Sequence, residues 1–367
     1  MNSPTLESTM PQFREATNLL RGICAISVLL GHYKFVFNSE EGFLTRRPLN
    51  DFISVLYDNG GESVRIFWMI SGLILTHTYI NQKKVSARNF FVARFARLYP
   101  VHLVSLLVIA ALQQTSFSKF KSYQVYGVND FYHFILNIFF IQSWGLEKNY
   151  SFNAPSWSVS VELAVYVIFF VSLGVLVKHQ ISLAISSLLC LKLLSILGLS
   201  LSKLFLYNCL VDFTAGIIVF FVVEYLSSRR NLIIWLGLNF LFILIFLAPS
   251  KIPSLNFEPN LLKFVQLALI VLIFAQADSF HLSRRLKQVN LLGQLSYSAF
   301  LWHTPILIII NLTQELDLIS EWIGEEKWFL VVFLILTYSI SYLSFKFIEQ
   351  PAQRYLRQKL MSSSRIG

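Results

Sequence analysis

The stretch Glu15–Phe37, EATNLLRGICAISVLLGHYKFVF, decides the fold. Its apolar run meets the ~20 residues that a helix needs to cross a ~30 Å hydrocarbon core, yet it carries Arg21 and His32. Eleven residues turn a helix through about 1100° and advance it roughly 16 Å, so the two side chains share one face three turns apart. An ionisable group in lipid costs several kcal/mol. A cation and an imidazole on one stripe therefore need a polar interior to point into, which makes this helix one member of a bundle.

Composition argues the same way. The 367 residues are 55% hydrophobic and 14% charged, with a mean hydropathy of +0.60. Soluble domains carry about 25% charged residues, so the fold class expected is an all-α polytopic membrane protein. The 34 phenylalanines supply broad apolar faces for lipid and for helix contacts. The formal net charge of +10 fits the Lys/Arg excess of cytoplasmic loops; no basic run joined to a soluble module speaks for nucleic acid. Cys24, Cys190 and Cys209 lie in apolar segments without the spacing of a disulfide framework or a metal site. The N-terminal MNSPTLESTMPQFREAT lacks the pattern of a cleavable signal, so the first span is expected to be retained.

Hydropathy marks about ten spans, at 15–37, 62–81, 98–114, 157–178, 180–200, 203–226, 231–248, 261–277, 291–311 and 327–347. The segment 131–144, FYHFILNIFFIQSW, is too short to cross and reads as a re-entrant or interfacial helix. With the N-terminus inside, sixteen Lys/Arg residues fall on the cytoplasmic side and nine outside. Both termini are therefore expected in the cytoplasm, as short tails 1–14 and 348–367 on a single transmembrane domain 1–367.

That topology sorts the charged groups into two layers. His32 lies near the outer end of span one. Glu162, in SWSVSVE, opens a span entered from outside, and Asp212 lies in the outer half of its own span. An imidazole with carboxylates at similar depth is the usual arrangement for proton transfer. Near the cytoplasm, Arg88, Arg94 and Arg97 cluster in NFFVARFARLYP, with Arg21 deeper in the first span. Arg94 and Arg97 are three apart on one helix face and suit a phosphate clamp. Each has a plainer reading too: snorkelling for Arg21, helix capping for Glu162, an interhelical hydrogen bond for Asp212, and small-residue packing for Ser71-Gly72.

Seven elements, in order, resemble the acyltransferase 3 family of integral membrane proteins. Arg21 and His32 match its R-x10-H signature, and IFWMISGLILT (66–76) its second-span Ser-Gly element, with Ser71 and Gly72. Arg94-x-x-Arg97 before Leu98-Tyr99-Pro100 is similar to its RxxR motif, and Trp157–Glu162 to W-S-L-S-V-E. VDFTAG (211–216), LGQLSYSAFLWHTPI (292–306) with Trp302, His303 and Pro305, and Glu349-Gln350-Pro351 complete the set. The chain departs at Arg65 and Leu163, where relatives often carry acids, and at Cys209-Leu210, where an Arg often stands; no role is assigned at those places.

The resemblance implies transfer of an acyl group, most often acetyl, from acyl-coenzyme A to a carbohydrate hydroxyl of a surface glycan, exopolysaccharide or lipopolysaccharide, in a bacterial inner membrane. Acyl-CoA enters as substrate, with no permanently bound cofactor and no metal. It assigns catalysis to His32, Glu162 and Arg21, the CoA phosphates to Arg94, Arg97 and Arg88, and substrate or oxyanion contacts to Ser71, Trp302, His303 and Asp212. The rival reading is a transporter in which Arg21, His32, Glu162 and Asp212 form a relay. Against it, no inverted repeat and no pair of Gly/Pro-broken helices is apparent.

Overall fold

The structure is a computed structural model and describes residues 15–37, 40–82, 84–196, 205–227, 236–242, 259–279 and 290–361. Its helices in chain order are α1 (Glu15–His32), α2 (Glu40–Arg46), α3 (Asn50–Asp58), α4 (Gly60–Tyr79), α5 (Ala87–Phe120), α6 (Phe131–Ile138) and α7 (Trp157–Ile196). They continue with α8 (Phe205–Ser227), α9 (236–242), α10 (Pro259–Ser279), α11 (Asn290–Glu315), α12 (Lys327–Ser344) and α13 (Gln350–Met361). Among the described residues the only β pairing is a lone bridge between Val128 and Ser151.

Among the described residues, seven helical stretches are long and apolar enough to cross a membrane. One of them, Ala154–Leu191, holds the expected span 157–178 and the first part of 180–200, which meet at Gln180, where the backbone leaves the helix (φ 43°, ψ −126°). The span expected at 62–81 is α4, a 20-residue helix outside the seven. Most of 231–248 lies outside the described residues, as do 1–14 and the last six residues of the expected tail 348–367, of which Gln350–Met361 forms α13. The expectation at 98–114 is the middle of α5, which begins eleven residues earlier where Ser86 caps it by accepting from the Asn89 N–H. Arg88, Arg94 and Arg97 thus stand on a helix rather than in a loop. At 131–144 the chain forms α6, eight residues and about 12 Å long. That is too short to cross, and it leaves Phe131, Tyr132, Phe139 and Trp144 exposed.

The chain divides into two compact units, taken over their described residues. One holds Met1–Cys24, Val64–Lys83 and Val171–Gln294. Here Asp278 of α10 caps the start of α1, accepting from the N–H groups of Glu15, Ala16 and Thr17 and from the Thr17 hydroxyl. A carboxylate at an α-helix N-terminus satisfies orphan donors and meets the positive end of the dipole. In the same unit α4 and α8 touch backbone to backbone. A Cβ at Gly72 would lie 2.1 Å from the Phe213 carbonyl oxygen, and one at Gly216 would lie 1.9 Å from that of Met69.

The other unit holds Ala25–Ser63, Lys84–Phe170 and Leu295–Gly367. Its core joins Leu29, Tyr33 and Val36 to Ile306, Leu307 and Ile310 of α11 and to Leu330 and Phe333 of α12. A smaller cluster packs Leu106, Ile109 and Phe152 on Ile308. The apolar stretch of α11 is 78% buried against 28% for that of Lys327–Leu360. Half-exposed Val332, Ile335 and Leu343 give α12 a face that only lipid satisfies.

Candidate active site

His32 ends α1, and its Nδ1 lies 3.0 Å from the Val28 carbonyl oxygen one turn back. A carbonyl only accepts, so in the neutral ring Nδ1 carries the proton and Nε2 presents its lone pair. Opposite stands His303 of α11, fully buried. The two ring centroids are 4.9 Å apart, with planes tilted by 36°. Neither nitrogen of His303 makes a well-formed hydrogen bond among the described residues. Trp302 Nε1 and Thr304 Oγ1, flanking His303 in sequence, are also buried without a hydrogen-bond partner among the described residues.

Pro305 explains how α11 is held at this point. Proline has no N–H, so the carbonyl four residues back, at Leu301, loses its helical donor. Asn153, fully buried in the loop before α7, replaces it: its Nδ2 lies 3.0 Å from the Leu301 oxygen and 3.2 Å from Ser105 Oγ of α5. A proline inside an apolar helix is thereby tied to a fixed amide two residues from His303.

A second polar cluster surrounds Tyr297, whose hydroxyl donates to the Leu98 carbonyl of α5 at 2.6 Å. The ionisable groups acting on it are Glu349, Arg97, Glu162 and Tyr166. Glu162 accepts from the Tyr166 hydroxyl at 2.6 Å. Glu349 is buried at the end of a π-helical turn, Phe345–Glu349, where it accepts from Ser298 at 2.8 Å and from Gln353 at 3.2 Å. The sequence puts Glu162 at the depth of His32; in the structure Glu162 is bonded to Tyr166, and the ring of His303 stands against that of His32.

Along α5, Arg88 is exposed and Arg94 and Arg97 are half-buried. The Arg94 guanidinium lies 6.0 Å from the Phe90 ring centre, its Nε buried and without a hydrogen-bond partner among the described residues. A guanidinium without a carboxylate partner is open to an anion.

The remaining candidates lie in the other unit. Arg21 and Ser71 are partly buried, on α1 and α4 respectively. Asp212, fully buried on α8, is gripped by Arg65 of α4, with Nε–Oδ2 at 2.9 Å and Nη2–Oδ1 at 3.1 Å. Gly72 and Gly216 bring those helices close enough for the pair to form. Among the described residues no trio of His, Cys, Asp and Glu could hold a metal.

Sequence reasoning missed Arg65, Asn153, Tyr297 and Asp278. The clue to Asn153 was Pro305, which announces an orphaned carbonyl four residues earlier. Arg65 could have been found by asking which cation neutralises Asp212.

Long apolar helices enclosing imidazoles, carboxylates and guanidinium groups define a polytopic membrane protein with a polar interior. Residues 14–346 match the family model Acyl_transf_3, described as an acyltransferase domain, and the chain belongs to that family. It is 23% identical to the peptidoglycan O-acetyltransferase OatA of Listeria monocytogenes over 91% of this chain and 55% of that protein. It is 25% identical to the putative peptidoglycan O-acetyltransferase YrhL of Bacillus subtilis over 87% of this chain and 55% of that one. A shorter match, 28% identical over 41% of this chain and 36% of the relative, joins it to the acyltransferase MdmB of Streptomyces mycarofaciens. The chain thus spans about half the length, or less, of these relatives. No solved structure matches it.

Proposed function

We propose that this chain is a membrane O-acyltransferase that moves an acyl group, acetyl in the first instance, from acyl-CoA to a hydroxyl of a cell-surface or lipid-linked carbohydrate. The observation that carries the reading is the His32–His303 pair, with His32 Nε2 open and Nδ1 anchored to Val28. The names of the two relatives that cover most of the chain favour a cell-wall glycan as acceptor. The reading places the protein in a bacterial inner membrane with both termini in the cytoplasm, as the Lys/Arg bias suggests.

In the proposed step His32 Nε2 takes the proton of the acceptor hydroxyl as its oxygen attacks the thioester carbonyl. The C–S bond breaks, the new ester forms, and the coenzyme A thiolate leaves with the proton returned by the imidazolium. His303 holds the opposite side of the His32 ring. The charge that develops on the carbonyl oxygen needs a fixed donor, and Trp302 Nε1 is buried with that capacity unused; Arg21 and Ser71 remain the other candidates. Arg88, Arg94 and Arg97 take the donor's phosphates, while Glu162, Tyr166 and Tyr297 form polar lining for its pantetheine arm. Holding two substrates in register is itself worth several kcal/mol of the barrier.

The rival is a transporter using the same buried charges. Purified protein in proteoliposomes, given radiolabelled acetyl-CoA and a glycan acceptor, separates the two. Label appearing in the glycan supports transfer; substrate uptake driven by a proton gradient with no acyl-CoA turnover supports transport. An Arg94→Ala, Arg97→Ala double variant is expected to weaken coenzyme A binding at least tenfold, and unchanged affinity removes the phosphate role.

A further inference from the structure

A line of aromatic rings leaves the histidine pair and ends at the protein surface. The His32 ring stacks on Phe35, with centroids 6.2 Å apart and planes within 11°. Phe35 meets Tyr126 edge-on at 5.3 Å, and Tyr126 meets Tyr150 at 6.2 Å. Exposure rises along the line: His303 is fully buried, His32, Phe35 and Tyr126 are partly exposed, and Tyr150 is 47% exposed. All belong to one compact unit.

The loop that carries Tyr126 is built to hold it still. Gln113 of α5 clasps Gln124 by two hydrogen bonds, from its amide to the Gln124 carbonyl (2.8 Å) and from the Gln124 N–H to its own oxygen (3.0 Å). Ser116 donates to the Ser122 carbonyl at 2.8 Å. Asn129 donates to the Tyr126 carbonyl at 2.7 Å and accepts from the Phe152 N–H at 2.8 Å. Val125, immediately before Tyr126, is held at φ 63°. A β-branched residue in the left-handed region is strained and persists only where its surroundings over-determine it. Here Val125 is pinned between both hydrophobic clusters of the unit.

Polar groups accompany the rings. Glu147 sits beside Tyr150, and burial lifts its carboxyl above the usual range, while a hydrogen bond from Ser151 opposes the lift. Asn311 Oδ1, two turns beyond His303 on α11, is a buried acceptor without a hydrogen-bond partner among the described residues. Its neighbour one turn on, Gln314, donates to the Val36 carbonyl next to Phe35, so this part of α11 lies against the same segment. Lys34 is exposed, its ammonium 5.5 Å from the Phe35 ring.

Aromatic faces interleaved with a carboxyl and an amide oxygen suit a molecule with both apolar C–H faces and many hydroxyls. A lipid tail has no use for the polar groups, and among the described residues a peptide would find no exposed strand edge to pair with. We propose that Phe35, Tyr126 and Tyr150, with Glu147 and Asn311, form a carbohydrate subsite that leads the acceptor from the surface to His32. It rests on the acyl-transfer reading only for its purpose; binding itself stands apart.

The test measures binding and chemistry separately. Saturation-transfer NMR of the purified protein is recorded with chitotetraose and with maltotetraose as probes, for wild type, Tyr126→Ala, Tyr150→Ala, Tyr150→Phe and the exposed control Trp328→Ala. The expected result is that wild type binds at least one of the two, that both Tyr→Ala variants weaken it tenfold or more, and that Tyr150→Phe and Trp328→Ala bind like wild type. Equal binding by wild type and both Tyr→Ala variants, or no binding of either probe by wild type, overturns the subsite. If wild type binds the oligosaccharide but never turns over acyl-CoA, the acyl-transfer reading fails while the subsite stands.

Discussion

His32 and His303, 271 positions apart in the chain, meet with their imidazole centroids 4.9 Å apart and their planes 36° from parallel. α1 ends where it must for this to happen: the helix closes at His32, and a 3-10 turn, Tyr33–Val36, follows. Tyr33 then donates to the Gly324 carbonyl and packs on Phe333, which fixes the turn. His32 therefore stands at the end of a rigid element and against α11, whose apolar stretch is the most buried of the seven found among the described residues.

The pair predicts that His303 acts through His32. His303→Gln is expected to lower kcat for acyl transfer by tenfold or more, leave the KM for acyl-CoA within about twofold, and alter the pH–rate profile. An unchanged rate and profile would make His303 a packing residue.

Asn153 predicts a split between binding and rate. Asn153→Ala strands the Leu301 carbonyl, and a buried polar group left unpaired costs roughly 1–3 kcal/mol. The expected outcome is a lower melting temperature together with a fall in kcat, because Leu301 is two residues from His303. Asn153→Asp, which removes the amide donor but keeps the volume, is expected to behave like Asn153→Ala, and coenzyme A affinity is expected to stay the same in both.

Arg65 and Asp212 predict a non-additive pair. Removing one partner leaves a charge buried, at a cost of about 3–5 kcal/mol, whereas removing both is far less damaging. Size-exclusion profiles in detergent are expected to show Arg65→Leu and Asp212→Leu each largely aggregated, and the double Leu variant recovered toward wild type. Additive losses would mean that the pair does not hold α4 to α8.

Asp58 carries a pH dependence. Arg47, stacked 5.0 Å from the Tyr57 ring and 5.5 Å from that of Phe43, grips it with bonds of 2.6 and 3.2 Å. That hydrogen bonding holds the Asp58 carboxyl below its ordinary value of 3.8. A depressed carboxyl contributes stability above the unfolded value, and the contribution is lost as pH falls through the folded one. Because Asp58 is half-exposed, the effect is small, of order 0.5 kcal/mol. Hydrogen exchange at the amides of α3, corrected for intrinsic rates, is expected to quicken below about pH 4, and in Asp58→Asn to be already fast at pH 6.

Much of this was readable in the chain because its causes are local. Sustained hydropathy over ~20 residues made the spans visible, and the break at Gln180 fell at the expected junction of two spans. The extended start of α5 was not visible, since Arg88, Arg94 and Arg97 depress hydropathy without depressing helix propensity. Sequence-distant pairings escaped altogether. Arg21, His32, Glu162 and His303 were all legible as candidates, but which of them meet depends on helix rotation and on contacts such as Asn153 with Leu301. The aromatic line was hidden for the same reason: Phe35, Tyr126 and Tyr150 come from three loops or turns, and only the fold sets them ring to ring.

The central claim is that His32 is the base of an acyl transfer, and its most direct test is the rate of acetyl transfer from acetyl-CoA to a glycan acceptor by purified His32→Gln protein in vesicles, at equal protein and matched melting temperature. General-base catalysis contributes about 10²–10⁴-fold. The account predicts a loss of at least a hundredfold with coenzyme A binding intact, and a transfer rate near wild type would contradict it.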